Sequence, residues 1–146
     1  MKKEYLELLL KIENVLLKQN DFDEILKLIV KFLKVNVEKY NWVGIYLKKG
    51  DELILHNYIG KPTTHTTIPV SEGICGAAVR EKKTVIVDNV NEDSRYIACS
   101  LETRSEIVVP IYKGKKIIGE IDIDSDEDSA FNYDDREMLE QVAARI

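Results

Sequence analysis

Asn41-Trp42-Val43-Gly44-Ile45-Tyr46 opens the stretch that decides the fold, because here the spacing of apolar residues changes from helical to a period of two. Val43, Ile45 and Leu47 alternate with Trp42, Gly44 and Tyr46, so residues 42–47 read as a strand with two chemically different faces. Residues 52–58 read as its partner, joined through the hairpin signal Lys48-Lys49-Gly50-Asp51. Upstream, Leu6, Leu9, Leu10, Val15, Leu16 and Leu17 give a loose apolar stripe on a first helix. Asp21 or Asp23 can cap a second, on which Ile25, Leu28, Ile29, Phe32, Leu33 and Val37 recur at helical spacing. Downstream, residues 66–70 form a short extended piece, 73–81 a helix opening on glycines, and 84–87 a strand. Residues 88–100 have no period and read as a loop of functional length. Residues 105–112 and 115–124 form a second hairpin across Lys113-Gly114, and 134–145 a closing helix capped near Asn132. The expected fold is α+β, an antiparallel central sheet with the N- and C-terminal helices packed on one face. It is expected as a single domain over 1–146, with helices in 1–38 and the sheet core, active-site loops and closing helix in 41–146.

A chain of 146 residues is one domain by length and can bury a real core. A hydrophobic content of 45% with 32% charged residues is that of an ordinary globular protein. The net charge of -5 offers no basic footprint, so neither nucleic acid nor an anionic membrane is expected as a partner. The lysine clusters (Lys2-Lys3, Lys48-Lys49, Lys82-Lys83, Lys113 to Lys116) fall at a terminus, turns and a helix end, where they read as solvated surface. With no apolar run of about 18 residues and no cationic leader with a cleavage site, the chain reads as cytoplasmic. In a reducing compartment its two cysteines are inert buried thiols or redox groups rather than a structural staple.

Alternation sorts the last strand too. Ile117, Gly119, Ile121 and Ile123 share one face, and Glu120, Asp122 and Asp124 the other; likewise Glu106 lies opposite Ile107 and Val109. The acidic face can be solvated surface. It can also form, with Trp42 and Tyr46, an apolar cup with an acidic wall, which suits a small ligand carrying an ammonium group and an apolar tail, such as a free amino acid. Cys75 sits in Gly73-Ile74-Cys75-Gly76, where a helix begins and backbone N–H groups would favour a thiolate. Cys99 follows the long loop. Either cysteine can equally be a small buried hydrophobe. No metal site is expected, since only His56 and His65 accompany the two cysteines and no close ligand pairs occur. A cysteine–histidine hydrolase lacks a supporting local signature.

Taken together, Asn41-Trp42-Val43-Gly44-Ile45-Tyr46, Gly73-Ile74-Cys75-Gly76, Ile97-Ala98-Cys99, Ser105-Glu106-Ile107-Val108-Val109-Pro110 and Asp122-Ile123-Asp124-Ser125 resemble the free methionine-(R)-sulfoxide reductase branch of the GAF domain family, from about Asn41 to the end of the chain. The resemblance implies that Cys99 attacks the sulfoxide sulfur and is left as a sulfenic acid, and that Cys75 condenses with it to a disulfide. An external dithiol such as thioredoxin then reduces that disulfide, with no tightly bound cofactor. It implies that Trp42 and Tyr46 hold the methyl and thioether end of free methionine sulfoxide, while Glu106, Asp122 and Asp124 bind its ammonium group. One of the acids would also give a proton to the sulfoxide oxygen, and the substrate carboxylate would meet backbone N–H groups of the 88–99 loop. The family also suggests a homodimer, which the leucine stripe near the N-terminus permits. Many members carry a third cysteine ten residues before the Gly-Ile-Cys-Gly cysteine, where this chain has His65. Resolution here then falls to Cys75 alone or to a small external thiol. The alternative function is a non-catalytic GAF module that binds a small ligand and reports it to a partner.

Overall fold

The computed structural model describes residues 1–97 and 101–146. Two amphipathic helices come first, α1 (Lys3–Lys18) and α2 (Phe22–Asn36). Of the two candidate caps for α2, Asp21 does the work: its carboxylate accepts the Glu24 N–H, one of the donors a helix start leaves without a partner. The chain then turns into β1 (Trp42–Lys49) and β2 (Glu52–Ile59), followed by a short β3 (Thr67–Pro69), α3 (Gly73–Glu81) and β4 (Val85–Val87). A 3₁₀ turn (Val90–Glu92) lies in the long loop, and β5 (Ser105–Lys113), β6 (Lys116–Ser125) and α4 (Tyr133–Ala144) complete the fold. The expected strands and helices are therefore present, with boundaries displaced by two residues or fewer.

Among the described residues the strands form one six-stranded sheet in the order β3-β2-β1-β6-β5-β4, with every neighbouring pair antiparallel. The first and last long hairpins thus meet at the centre, where β1 pairs with β6. On one face Val43, Ile45, Ile107, Val109, Ile121 and Ile123 pack against Leu26, Ile29, Val30 and Leu33 of α2 and Met138, Leu139 and Val142 of α4. This is the face the alternation assigns to the terminal helices. Near the end of the second hairpin the alternation slips. Ile111 pairs with Gly119 and Tyr112 with Ile117, so Ile118 is an extra residue on β6, and Ile118 rather than Ile117 packs against the core.

The opposite face is covered as well, by α3. Ile74, Cys75 and Ala78 pack with Tyr46, Leu53, Ile68, Val85, Val87, Val90 and Val108 in a second apolar cluster. Gly76 permits the approach, since a Cβ there would lie 2.6 Å from the carbonyl oxygen of Val70. The expectation that the terminal helices share one face holds, whereas no face is expected for the helix at 73–81, because periodicity reports that a helix is amphipathic and not which side of a sheet receives it.

A buried network ties the termini to the sheet. Asp135, in the first turn of α4, accepts hydrogen bonds from the Tyr5 and Tyr40 hydroxyls, both at 2.6 Å, and from the Asn132 N–H at 3.0 Å. Lys39 pairs with it at 2.8 Å and also donates to the carbonyl of Ala130. Asn132 caps α4 reciprocally with Asp135, at the expected position. Burial alone would raise the Asp135 carboxyl, but these donors outweigh it and hold the group below its ordinary value. A depressed folded-state value contributes stability that is present above the unfolded value near pH 4 and lost as the pH falls through the folded one. Asp135→Asn is therefore expected to cost about 2–4 kcal/mol, read as a lower urea midpoint at unchanged slope. An unchanged midpoint would show that the network carries no net stability.

Candidate active site

The β1–β6 and β5–β6 registers stack the site in rows. Trp42, Asp124 and Glu106 lie across from one another, then Gly44, Asp122 and Val108, then Tyr46, Glu120 and Pro110. Three strands thus bring acids and aromatics to one face at one end of the sheet, under α3. The missing Cβ of Gly44 is required here: an added one would lie 2.4 Å from the Trp42 ring. The indole folds over the strand, stacks on Tyr58 at 5.3 Å between centroids and 19° between planes, and donates from Nε1 to the carbonyl of Lys61 at 3.1 Å. Tyr46 is buried deeper, and its hydroxyl donates to the carbonyl of His65 at 2.7 Å.

The acidic face is not solvated. Glu106, Glu120, Asp122 and Asp124 are exposed by 6%, 0%, 5% and 5%. Burial is the main cause that pushes Glu120, Asp122 and Asp124 above the ordinary carboxyl range, and the charge of Asp122 adds to it at Glu120 and Asp124. Hydrogen bonds from Glu106 to Asp122 and Asp124 pull in the other direction. Among the described residues no ion pair reaches Glu120, Asp122 or Asp124. Asp122 Oδ1, Asp124 Oδ1 and both Glu120 oxygens are buried with no hydrogen-bond partner. Such a cluster gains from a cation.

Cys75 points into the cluster from α3. Its Sγ donates to Asp122 Oδ2 at 3.4 Å. Burial first, then the charges of Asp122, Glu120 and Glu106, push the thiol well above its ordinary value. This overturns the expectation of a thiolate favoured by the helix start. The end of a helix contributes roughly 0.3–1 kcal/mol at exposed sites, which desolvation and three facing carboxyls outweigh. Cys99, with Ala98 and Ser100, lies outside the described residues. The chain that leads to it does not: a Cβ at Gly73 would sit 3.0 Å from Ile97 Cδ1, so the loop packs beside the start of α3.

A cavity of ≈ 170 Å³ opens beside the acids, lined by Asn41, Trp42, Lys61, Pro62, Thr63, Thr103, Asp124 and Asp126. Of the five expected binding residues, Trp42 and Asp124 line it. Glu106 and Asp122 stand behind Asp124 beside Cys75, and Tyr46 belongs to the apolar cluster beneath α3. Neither Asn41 nor Thr103 is among the site residues expected from the sequence. Asn41 Oδ1 accepts the Asp126 N–H at 2.8 Å, which fixes the rim between the start of β1 and the end of β6. Its place at the head of the Asn-Trp stretch was the available signal, whereas nothing local marked Thr103.

The GAF domain family profile matches residues 21–146. The chain is 42% identical over 110 residues to the free methionine-R-sulfoxide reductase of Saccharomyces cerevisiae, covering 73% of this chain and 61% of that one. It therefore spans about three fifths of the yeast relative. Among solved structures it is similar to the free methionine-R-sulfoxide reductase (fRMsr) of Neisseria meningitidis in complex with its substrate. The TM-score is 0.92 at 35% identity, covering 99% of this chain and 88% of that one. The reduced form of the Staphylococcus aureus fRMsr matches with a TM-score of 0.92 at 37% identity, covering 97% and 92%.

Proposed function

We infer, for a chain that belongs to the free methionine-R-sulfoxide reductases of the GAF domain family, that it reduces free L-methionine-(R)-S-oxide to L-methionine. The observation that carries this reading is the buried acidic cluster beside Trp42 and Cys75, in which Asp122 Oδ1, Asp124 Oδ1 and both Glu120 oxygens have no hydrogen-bond partner among the described residues and which adjoins a small cavity. An ammonium group supplies the missing charge and three donors. Glu106, Asp122 and Asp124 bind it, Trp42 holds the methyl and thioether end, and Tyr46 supports the pocket from below.

Cys99 is the nucleophile. Its sulfur attacks the sulfoxide sulfur as a carboxyl held protonated in the cluster gives a proton to the oxygen; the oxygen passes to Cys99 as a sulfenic acid and methionine leaves. Cys75 then condenses with the sulfenic acid, releasing water and forming a disulfide that an external dithiol such as thioredoxin reduces. The packing of Ile97, two residues before Cys99, against Gly73, two residues before Cys75, supports this pairing. With His65 in place of a third thiol, Cys75 resolves alone. The cycle needs no tightly bound cofactor and suits the cytoplasm. Among the described residues no helix is long and apolar enough to cross a membrane. The exposed Leu6, Leu10 and Leu17 of α1 suit pairing of two copies as a homodimer.

The test is turnover of separated R and S epimers of free methionine sulfoxide with dithiothreitol. Consumption of the R epimer alone is expected. Binding of methionine without turnover of either epimer would leave a ligand-binding module instead.

A further inference from the structure

The acids and Cys75 have a second property that ammonium binding does not use. Cys75, Glu106 and Asp122 each offer a donor atom, and these atoms all lie within 4.8 Å of one another. They come from α3, β5 and β6, three packed elements that fix their relative positions. Asp122 Oδ1 within the cluster and Asp124 Oδ1 beside Glu106 are buried and meet no hydrogen-bond partner. A four-coordinate zinc ion holds sulfur at about 2.3 Å and carboxylate oxygen at about 2.0–2.2 Å, so small side-chain rotations close the observed spacing onto one ion.

We propose that Cys75, Glu106 and Asp122 form a binding site for a zinc-like divalent cation, which occupies the same acids as the amino-acid ligand and so competes with it. The donor set fixes the class of metal. One sulfur with two carboxylates suits zinc or cobalt(II), whereas magnesium and calcium prefer all-oxygen shells. Binding displaces the thiol proton of Cys75, so the step is metal plus thiol giving metal thiolate plus a released proton, with no redox change. The cation then holds Cys75 as a metal thiolate and removes it from thiol chemistry. No segment of the sequence signals this site, because its members stand at positions 75, 106 and 122 with no ligand pair close in sequence.

The experiment titrates the reduced full-length protein with cobalt(II), and with zinc against a chromophoric chelator. One cobalt per chain is expected, with a thiolate-to-metal charge-transfer band. The band persists in Cys99→Ser and disappears in Cys75→Ser. Zinc affinity should fall about 100-fold in Cys75→Ser and at least about tenfold in the near-isosteric Glu106→Gln and Asp122→Asn, and saturating L-methionine should raise the apparent Kd for zinc. Absence of saturable binding, a band that survives Cys75→Ser, or an affinity unchanged by both carboxyl substitutions would overturn the proposal. Turnover is measured on metal-free protein, so a failed metal titration leaves the reductase reading standing, and a failed turnover assay leaves the metal site standing.

Discussion

Replacing Cys99 by serine is expected to abolish reduction of free methionine-(R)-sulfoxide, lowering kcat by on the order of 10³-fold or more. A hydroxyl at neutral pH is a far poorer nucleophile than a thiolate and cannot carry the sulfenic acid of the proposed cycle. Cys75→Ser should behave differently. One methionine per chain should form in a single turnover, and recycling by thioredoxin should fail while a small thiol restores it. In the unsubstituted protein, substrate without reductant should produce an intramolecular Cys75–Cys99 disulfide, seen as a loss of two hydrogens by intact mass and located by non-reducing peptide mapping. Disulfide formation is open to this chain because Cys75 is its one other thiol, and bridged Cα atoms must approach within about 7 Å. Full activity in both serine variants would end the cysteine mechanism. A persistent sulfenic acid at Cys99 with Cys75 free would assign resolution to an external thiol.

Glu106→Gln and Asp124→Asn are each expected to weaken methionine binding by about 1.5–3 kcal/mol, and N-acetylation of the ligand should do the same to the unsubstituted protein. Each change would remove one side of the proposed ammonium–carboxylate contact. Because Glu106 hydrogen-bonds both Asp122 and Asp124, the double variant should lose less than the sum of the singles. Calorimetry that finds N-acetylmethionine bound as tightly as methionine would remove the acids from recognition. The same cluster predicts a pH signature. Glu120, Asp122 and Asp124 are raised in the folded state. A raised carboxyl contributes stability that is present below its unfolded value near pH 4 and lost as the pH rises through the folded one. The ligand-free protein should therefore lose stability from weakly acidic toward neutral pH, opposite in sign to Asp135 below pH 4. Saturating methionine should flatten that loss. A Tm that does not change over this range, with or without methionine, would mean that the cluster carries no buried charge.

Much of the frame was legible in the chain itself because its causes are short-ranged. Alternation from Trp42 onward separates Val43 and Ile45 from Trp42, Gly44 and Tyr46 by backbone geometry alone, and the structure keeps that separation across β1. Asp21 and Asn132 announce the starts of α2 and α4 because a cap acts within three residues of itself. The acids of β6 could be put on one face with Glu106 by the same rule. What that face meets could not be read locally. Only the packing of α3 across it turned a strand pattern equally at home in water into a set of buried carboxyls, and set Cys75 3.4 Å from Asp122, 47 residues away. The helix start around Cys75 suggests a thiolate when taken alone, and desolvation with three facing acids makes it a thiol. The Tyr5–Asp135 bond joins residues 130 apart for the same reason. Periodicity and caps are properties of neighbours in sequence, whereas the charge state of a buried group depends on everything folded around it, and that is decided only when the tertiary structure closes.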